Sequence, residues 1–189
     1  GGCGERVVVH DHAHDASGYD ARGRLLQAPS RPRHENPPNL IGLVIDTLRP
    51  DALGWIGGGN VTPRLDEVAA ASFTFPGAVT SAPITLPAHA SLLTARNPPR
   101  HGVRDNGQSL APGVPSYAVH FREQGYRTAA FVSGFPLQAL FGLDRGFEHY
   151  DDEMPDGREG WVERRAARTT DAALAWIAER EEPWFVWVH

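Results

Sequence analysis

Leu40-Ile41-Gly42-Leu43-Val44-Ile45 is an apolar run with no polar alternation, and it stops on Asp46. A half-buried strand alternates apolar and polar residues, whereas a strand covered on both faces does not. The run is therefore read as a buried strand of a mostly parallel sheet. Asp46 then sits at the strand's C-terminal end, the edge where open α/β sheets bind ligands. A carboxylate there either holds a hard divalent cation through oxygen or caps the following turn.

The pattern extends outward from that strand. Thr62-Pro63 predicts a helix start, with a hydroxyl at the N-cap and proline in the first turn. Phe73 to Val79 reads as extended, although Pro76 weakens it. A helix is expected from Leu86 to Ala95, and another from Tyr117 to Gln124 that stops at Gly125. Arg127 to Ser133 reads as a strand and Phe147 to Tyr150 as a short one. The longest helix is expected over Gly160 to Glu182, with Trp161 and Trp176 at core spacing. Pro183 ends it, and Trp184-Phe185-Val186-Trp187-Val188 makes a last strand. Strands alternating with helices predict an α/β fold, a mostly parallel sheet sandwiched by helices. Residues 39–189 are assigned to this fold, as the front part of a longer catalytic domain. Residues 1–38 are assigned to a flexible tail and linker.

Bulk composition narrows the function classes. The chain has 189 residues, 41% of them hydrophobic, and a net charge of −5. That length can bury a core, and no apolar run is long enough to span a membrane. No basic stripe offers a nucleic-acid surface. All 18 positive residues are Arg, so no lysine is available for catalysis within the chain. Cys3 is the single cysteine, which excludes an internal disulfide and a cysteine zinc cluster. Gly1-Gly2-Cys3-Gly4 resembles the end of a bacterial lipoprotein signal. Lipidation of Cys3 and an extracytoplasmic location, periplasm or cell surface, are the corresponding expectations. His10-Asp11-His12-Ala13-His14-Asp15 has metal-binding residue types but reads as a solvated segment.

The chemistry concentrates in Thr85-Leu86-Pro87-Ala88-His89-Ala90-Ser91-Leu92-Leu93-Thr94 and His101-Gly102-Val103-Arg104-Asp105-Asn106. Thr85 is expected to be an N-cap, where free N–H groups and the helix dipole favour an anion. A metal held by Asp46 would make its hydroxyl a nucleophile. If Asp46 and Thr85 share a cation, their oxygens should converge to roughly 4–6 Å. His89 lies one turn on and faces the same side, either to hydrogen-bond the site or to pack. Ser91, Leu92 and Leu93 read as core-facing. Asn106 offers an amide donor to an ester oxygen, or forms an Asn-Gly turn with Gly107. Arg49 and Asp51 are expected to pair and fix the loop after Asp46.

Taken together, these segments resemble the sulfatase branch of the alkaline phosphatase superfamily. Asp46-Thr47-Leu48-Arg49-Pro50-Asp51 is similar to the family's opening strand end, whose Asp binds the metal. Thr85-Leu86-Pro87-Ala88-His89 occupies the place of its Cys/Ser-x-Pro-Ser-Arg motif. Gly125-Tyr126-Arg127-Thr128-Ala129, Gly142-Leu143-Asp144-Arg145-Gly146-Phe147 and Pro183 to His189 also resemble family segments. The last looks like the strand before the family's second-half histidine. Thr85 departs from the residue that sulfatases oxidise to formylglycine, and His89 replaces the motif Arg. Thr47 replaces a second acidic residue, and Ser133 and Phe135 stand where the family has Lys and His. The pattern is closer to threonine-nucleophile phosphodiesterases and nucleotide pyrophosphatases. The resemblance implies a metal-dependent hydrolase of sulfate or phosphate esters. Catalytic residues would be Thr85, Asn106 and His89, and metal ligands Asp46 and Thr85, the cation being Ca, Mg, Mn or Zn. Substrates would be small-molecule, glycan or lipid esters. Alternatives are a phosphotransferase of the same superfamily and a non-catalytic, surface-anchored pseudo-enzyme. The family's remaining Asp-His metal ligands lie in a second half, without which the chain is expected to be inactive.

Overall fold

The computed structural model of the protein describes residues 36–57, 59, 61–154 and 163–189. The tail, Cys3, the His10–Asp15 segment, a short strand expected at Val7-Val8-Val9, and Trp161 lie outside them. Four strands form one parallel sheet: β1 (Leu40–Leu43), β2 (Arg127–Phe131), β3 (His149–Asp151) and β4 (Trp184–Val188), in the order β1-β4-β2-β3. Leu43, Val188 and Phe131 stand in register across three strands, so the C-terminal strand ends are level with one another.

The two-residue period of the inner strands sorts their side chains into two cores. Ala130, Val132 and Phe185 enter one, with Leu86, Ala90 and Leu93 of helix α2 (Thr85–Thr94). Ala118 of helix α4 (Tyr117–Glu123) packs there too. Ala129, Phe131, Trp184, Val186 and Val188 enter the other, against Ala173 and Trp176 of helix α5 (Ala166–Ala178). That double coverage is why Trp184–Val188 needs no polar alternation. Fully buried Leu86 and Leu137 anchor the first core; truncating either to alanine should cost about 2–5 kcal/mol. β1, expected to be covered on both faces, is instead an edge strand of the described sheet, with Ile41, Leu43 and Ile45 after it exposed. Trp187 lies over Gly42, where an added Cβ would come within 2.5 Å of the indole.

Helices α1 (Pro63–Ala70) and α3 (Pro98–His101) complete the described elements, with short 3-10 turns between. Thr62 is the N-cap residue of α1, but its hydroxyl donates to Asp66 Oδ1 at 2.8 Å and accepts from Gly54 N–H at 2.8 Å. It ties the loop after β1 to α1 rather than capping a helix N–H. Phe73 to Val79 forms no strand. Pro76 and Gly77 turn the chain there, and Ala78 N–H bonds Phe75 O at 3.1 Å. The long helix begins only at Ala166, because Glu163 bridges Gly134 and Arg164 N–H bonds Ser133 O at 2.9 Å. Tertiary pairing there overrides helix propensity. Leu92, read as core-facing, is 52% exposed: Leu86, Ala90 and Leu93 hold the buried face of α2.

Candidate active site

The level strand ends deliver side chains to one edge of the sheet. Asp46 follows β1, Ser133 follows β2 and His189 follows β4, while Thr85 opens α2 beside them. The Thr85 hydroxyl donates a 3.0 Å hydrogen bond to Asp46 Oδ2 across 39 residues of sequence. That is tighter than the expected separation. Ligands at about 2.0–2.6 Å from one cation and adjacent in its shell lie about 3–3.5 Å apart, so the pair still fits two neighbouring positions of a hard cation. Thr85 is the first residue of α2 and Ile84 its N-cap, so the hydroxyl is free for Asp46 instead of being spent on a helix N–H. Asp46 Oδ1 accepts from Thr47 N–H at 2.9 Å, which fixes the carboxylate. Thr47 holds φ 53°, a left-handed conformation that costs a β-branched residue energy. Arg49 and Asp51 pair as expected, and both are exposed.

Asn106 reaches the same helix end by a different contact. Its Oδ1 accepts Leu86 N–H at 3.0 Å. Pro87 has no N–H, and Ala88 N–H is bonded to Ile84 O at 3.1 Å. Leu86 N–H is thus taken and Pro87 has none, which leaves Thr85 N–H and the Asn106 amide NH2 as donors at this end among the described residues. Asn106 also lies in a turn with Gly107, as the second of its sequence readings expects.

His89 lies behind Thr85 and does not line the cavity. It is 3% exposed, and its Nδ1 is 2.9 Å from the Thr85 carbonyl oxygen. A carbonyl only accepts, so Nδ1 carries the proton and Nε2 presents a lone pair. Burial, opposed by the Thr85 carbonyl, lowers the His89 pKa to about 4; His189 lowers it further and Asp46 raises it. The ring is neutral at pH 7 and braces the first turn of α2.

His189 was not assigned a role in the sequence. Its Nε2 lies 3.7 Å from Asp46 Oδ2, and its ring meets the His89 ring edge-on at 4.9 Å between centroids. Ser133 Oγ donates to His189 O at 2.7 Å and lies 3.3 Å from Nδ1. Ser133 donates its proton to the carbonyl, so its Oγ is free to accept from Nδ1–H. Burial lowers the His189 pKa, against Asp46, which raises it. Nε2 of both histidines is buried without a hydrogen-bond partner among the described residues. His189 Nε2 therefore faces a carboxylate oxygen 3.7 Å away, a pair that can share a proton or flank a cation. The signal that marks Asp46 also marks His189, since each directly follows an apolar strand.

A cavity of about 730 Å³ opens over this edge. Asp46, Thr85, Ser133 and His189 line its reactive side, and Phe135, Pro136, Glu163, Arg164 and Ala166 the rest. Arg164 Nη1 donates to Asp151 Oδ1 at 2.6 Å and Nε to Thr169 Oγ1 at 3.1 Å, and its side chain is 5% exposed. It fastens the wall to β3 and α5. Among the described residues, no group of three or more His, Cys, Asp or Glu is arranged to hold a metal ion.

The fold agrees with what the chain is similar to. Over 93 residues it is 38% identical to an ulvan-active sulfatase of Formosa agariphila, covering 49% of this chain and 18% of that protein. Over 152 residues it is 28% identical to a choline-sulfatase of Rhizobium meliloti, covering 77% and 26%. The chain thus spans about a quarter or less of the length of these curated relatives. Its fold matches that of a phosphonate monoester hydrolase of Agrobacterium radiobacter, with a TM-score of 0.64 at 20% identity over 80% of this chain and 40% of that one. The sulfatase family profile matches residues 38–189, nearly all of the described fold, and the chain belongs to the sulfatase family.

Proposed function

We propose that the full-length protein hydrolyses phosphate or sulfate esters with Thr85 as nucleophile. The observation that carries this is the 3.0 Å hydrogen bond from the Thr85 hydroxyl to Asp46 at the mouth of the cavity. As Thr85 Oγ attacks phosphorus or sulfur, its proton passes to Asp46. The bond from phosphorus or sulfur to the alcohol oxygen breaks, and that oxygen takes the proton back from Asp46 as the alcohol departs into the cavity. The Asn106 amide donates to a nonbridging oxygen where charge develops. Water then cleaves the threonyl ester and restores the hydroxyl. His89 holds the Thr85 carbonyl, and so the attack angle, in place.

Asp46 and Thr85 would hold a divalent cation, and the unpartnered His189 Nε2 facing Asp46 fits a positive charge there. When bound, such a cation, calcium, magnesium, manganese or zinc, would polarise the ester and lower the hydroxyl pKa. Further ligands would come from outside the described residues, and the fragment alone is therefore proposed to be inactive. The extracytoplasmic location rests on Gly2-Cys3 alone. Radiolabelled palmitate incorporation, abolished by Cys3→Ser, tests it.

Phosphate esters are the favoured substrates, because threonine, a secondary alcohol, cannot be oxidised to an aldehyde. A phosphothreonine is released by attack at phosphorus, whereas a sulfated threonine lacks the hydrated-aldehyde route to expel sulfate. Comparing kcat/KM for 4-nitrophenyl phosphate, bis(4-nitrophenyl) phosphate and 4-nitrophenyl sulfate tests this. Thr85→Ala should abolish turnover while changing stability by about 1 kcal/mol or less, since one half-exposed hydrogen bond is lost. A preference for the sulfate, or full activity in the alanine variant, removes Thr85 as nucleophile.

A further inference from the structure

Behind the first turn of α2, His101 and Ser91 form a directed chain of hydrogen bonds. The His101 ring is 2% exposed. Its Nδ1 accepts Val103 N–H at 3.1 Å, so Nδ1 holds the lone pair and Nε2 carries the proton. Nε2–H donates to Ser91 Oγ at 2.8 Å, and the Ser91 hydroxyl donates to Pro87 O at 2.9 Å. Every member is satisfied, and a satisfied buried chain of this kind holds its groups in one arrangement. The segment that begins at His101 touches the same turn a second time. It passes through Gly102, at φ 84°, and fully buried Val103 to Asn106, whose Oδ1 accepts Leu86 N–H at 3.0 Å. Leu86 and Pro87 directly follow Thr85, so one segment holds two consecutive residues beside the nucleophile. A segment held by a single hydrogen bond can pivot about it. The second anchor, through Val103 N–H, His101 and Ser91, removes that freedom.

We infer that His101 and Ser91 are positioning residues, which set the direction of the Asn106 amide relative to the Thr85 hydroxyl. Neither side chain lines the cavity, so both act through Asn106. This rests on Thr85 being the nucleophile and on the amide NH2 meeting a nonbridging oxygen. The chain carries no proton in the reaction, because it ends on a carbonyl that only accepts. Removing the Ser91 hydroxyl leaves His101 Nε2–H buried without its acceptor, and the ring and the Asn106 segment then shift together. A donor displaced by about 1 Å from a developing charge can cost about a hundredfold in rate.

The test is Ser91→Ala in the full-length protein, a substitution that α2 tolerates because alanine is a strong helix former. With 4-nitrophenyl phosphate as substrate, kcat should fall about tenfold or more while KM stays within about twofold, the pattern of an interaction made in the transition state. In an Asn106→Ala background the same substitution should change kcat by less than about twofold, since no amide remains to be positioned. Equal losses in both backgrounds, or wild-type kcat in Ser91→Ala, overturn the inference and leave the nucleophile standing. A second readout needs no turnover. Hydrogen exchange of the Leu86 amide, followed in 15N-leucine-labelled protein, reports its bond to Asn106. Ser91→Ala should speed exchange at Leu86 about tenfold and leave Leu93, in the same helix, unchanged. If no ester is hydrolysed, the nucleophile assignment fails and this exchange decides the positioning. Faster exchange confined to Leu86 supports it; unchanged exchange there, or equal acceleration at Leu93, overturns it.

Discussion

Acidifying the protein from pH 7 to 4.5 should destabilise it through His89, and replacing that one ring should remove the effect. His89 is neutral in the folded protein because burial lowers its pKa from 6.5 to about 4. In the unfolded chain it takes up a proton near pH 6.5. Between those values the unfolded state binds more protons, so stability is greatest above pH 6.5 and falls as pH drops towards 4. The gap between 6.5 and about 4 corresponds to about 3 kcal/mol, and most of it, about 2.5 kcal/mol, is lost by pH 4.5. His189, also lowered by burial, acts in the same direction. The assay is urea unfolding followed by tryptophan fluorescence at several pH values between 4.5 and 7.5, with a chelator present. The comparison is with His89→Phe, which keeps a ring against Trp187 and His189 but cannot titrate. Losing the Nδ1–H bond to Thr85 should lower its stability by about 1 kcal/mol at pH 7. Its decline with acid should nevertheless be shallower, so the two proteins converge or cross between about pH 5 and 6. Parallel pH profiles would refute the reasoning and mean that the ring is solvated or paired in solution.

Two further predictions separate structural from chemical roles. Asn106→Asp keeps the oxygen that accepts Leu86 N–H and adds charge favourable to a helix N-terminus, so thermal stability should hold while kcat falls at least tenfold; Asn106→Ala should also lose about 1 kcal/mol of stability. Wild-type turnover in the Asp variant would mean that the amide NH2 does not touch the ester. Asp46→Ala should strip the full-length protein of its divalent metal by elemental analysis, and unchanged metal content would remove Asp46 from the site.

Sequence and tertiary structure divide the explanation along a physical line. Local signals were enough wherever a few neighbouring residues carry the information. The apolar runs at Leu40 and Trp184 mark strands; cover on both faces explains the missing alternation in β4, whereas β1 is an edge strand with Ile41 and Leu43 exposed. Pro63 and Gly125 punctuate helices through their own backbone restrictions. Asp46 and Thr85 stand out because each sits at an element end, and the family resemblance joins them. What a one-dimensional reading misses is every contact made by pairing. The long helix begins late because Glu163 and Arg164 pair with the Gly134 segment, which nothing within residues 163–166 announces. Asn106 caps a helix 20 residues earlier, so one of the expected free N–H donors is taken. His189 joins Asp46 only because β1 and β4 lie side by side in register, bringing two strand ends 143 residues apart in sequence to one edge. Sequence sets which residues can do chemistry and which local elements carry them. The sheet order and its level register, fixed by burying both faces of β2 and β4, decide which of those residues meet.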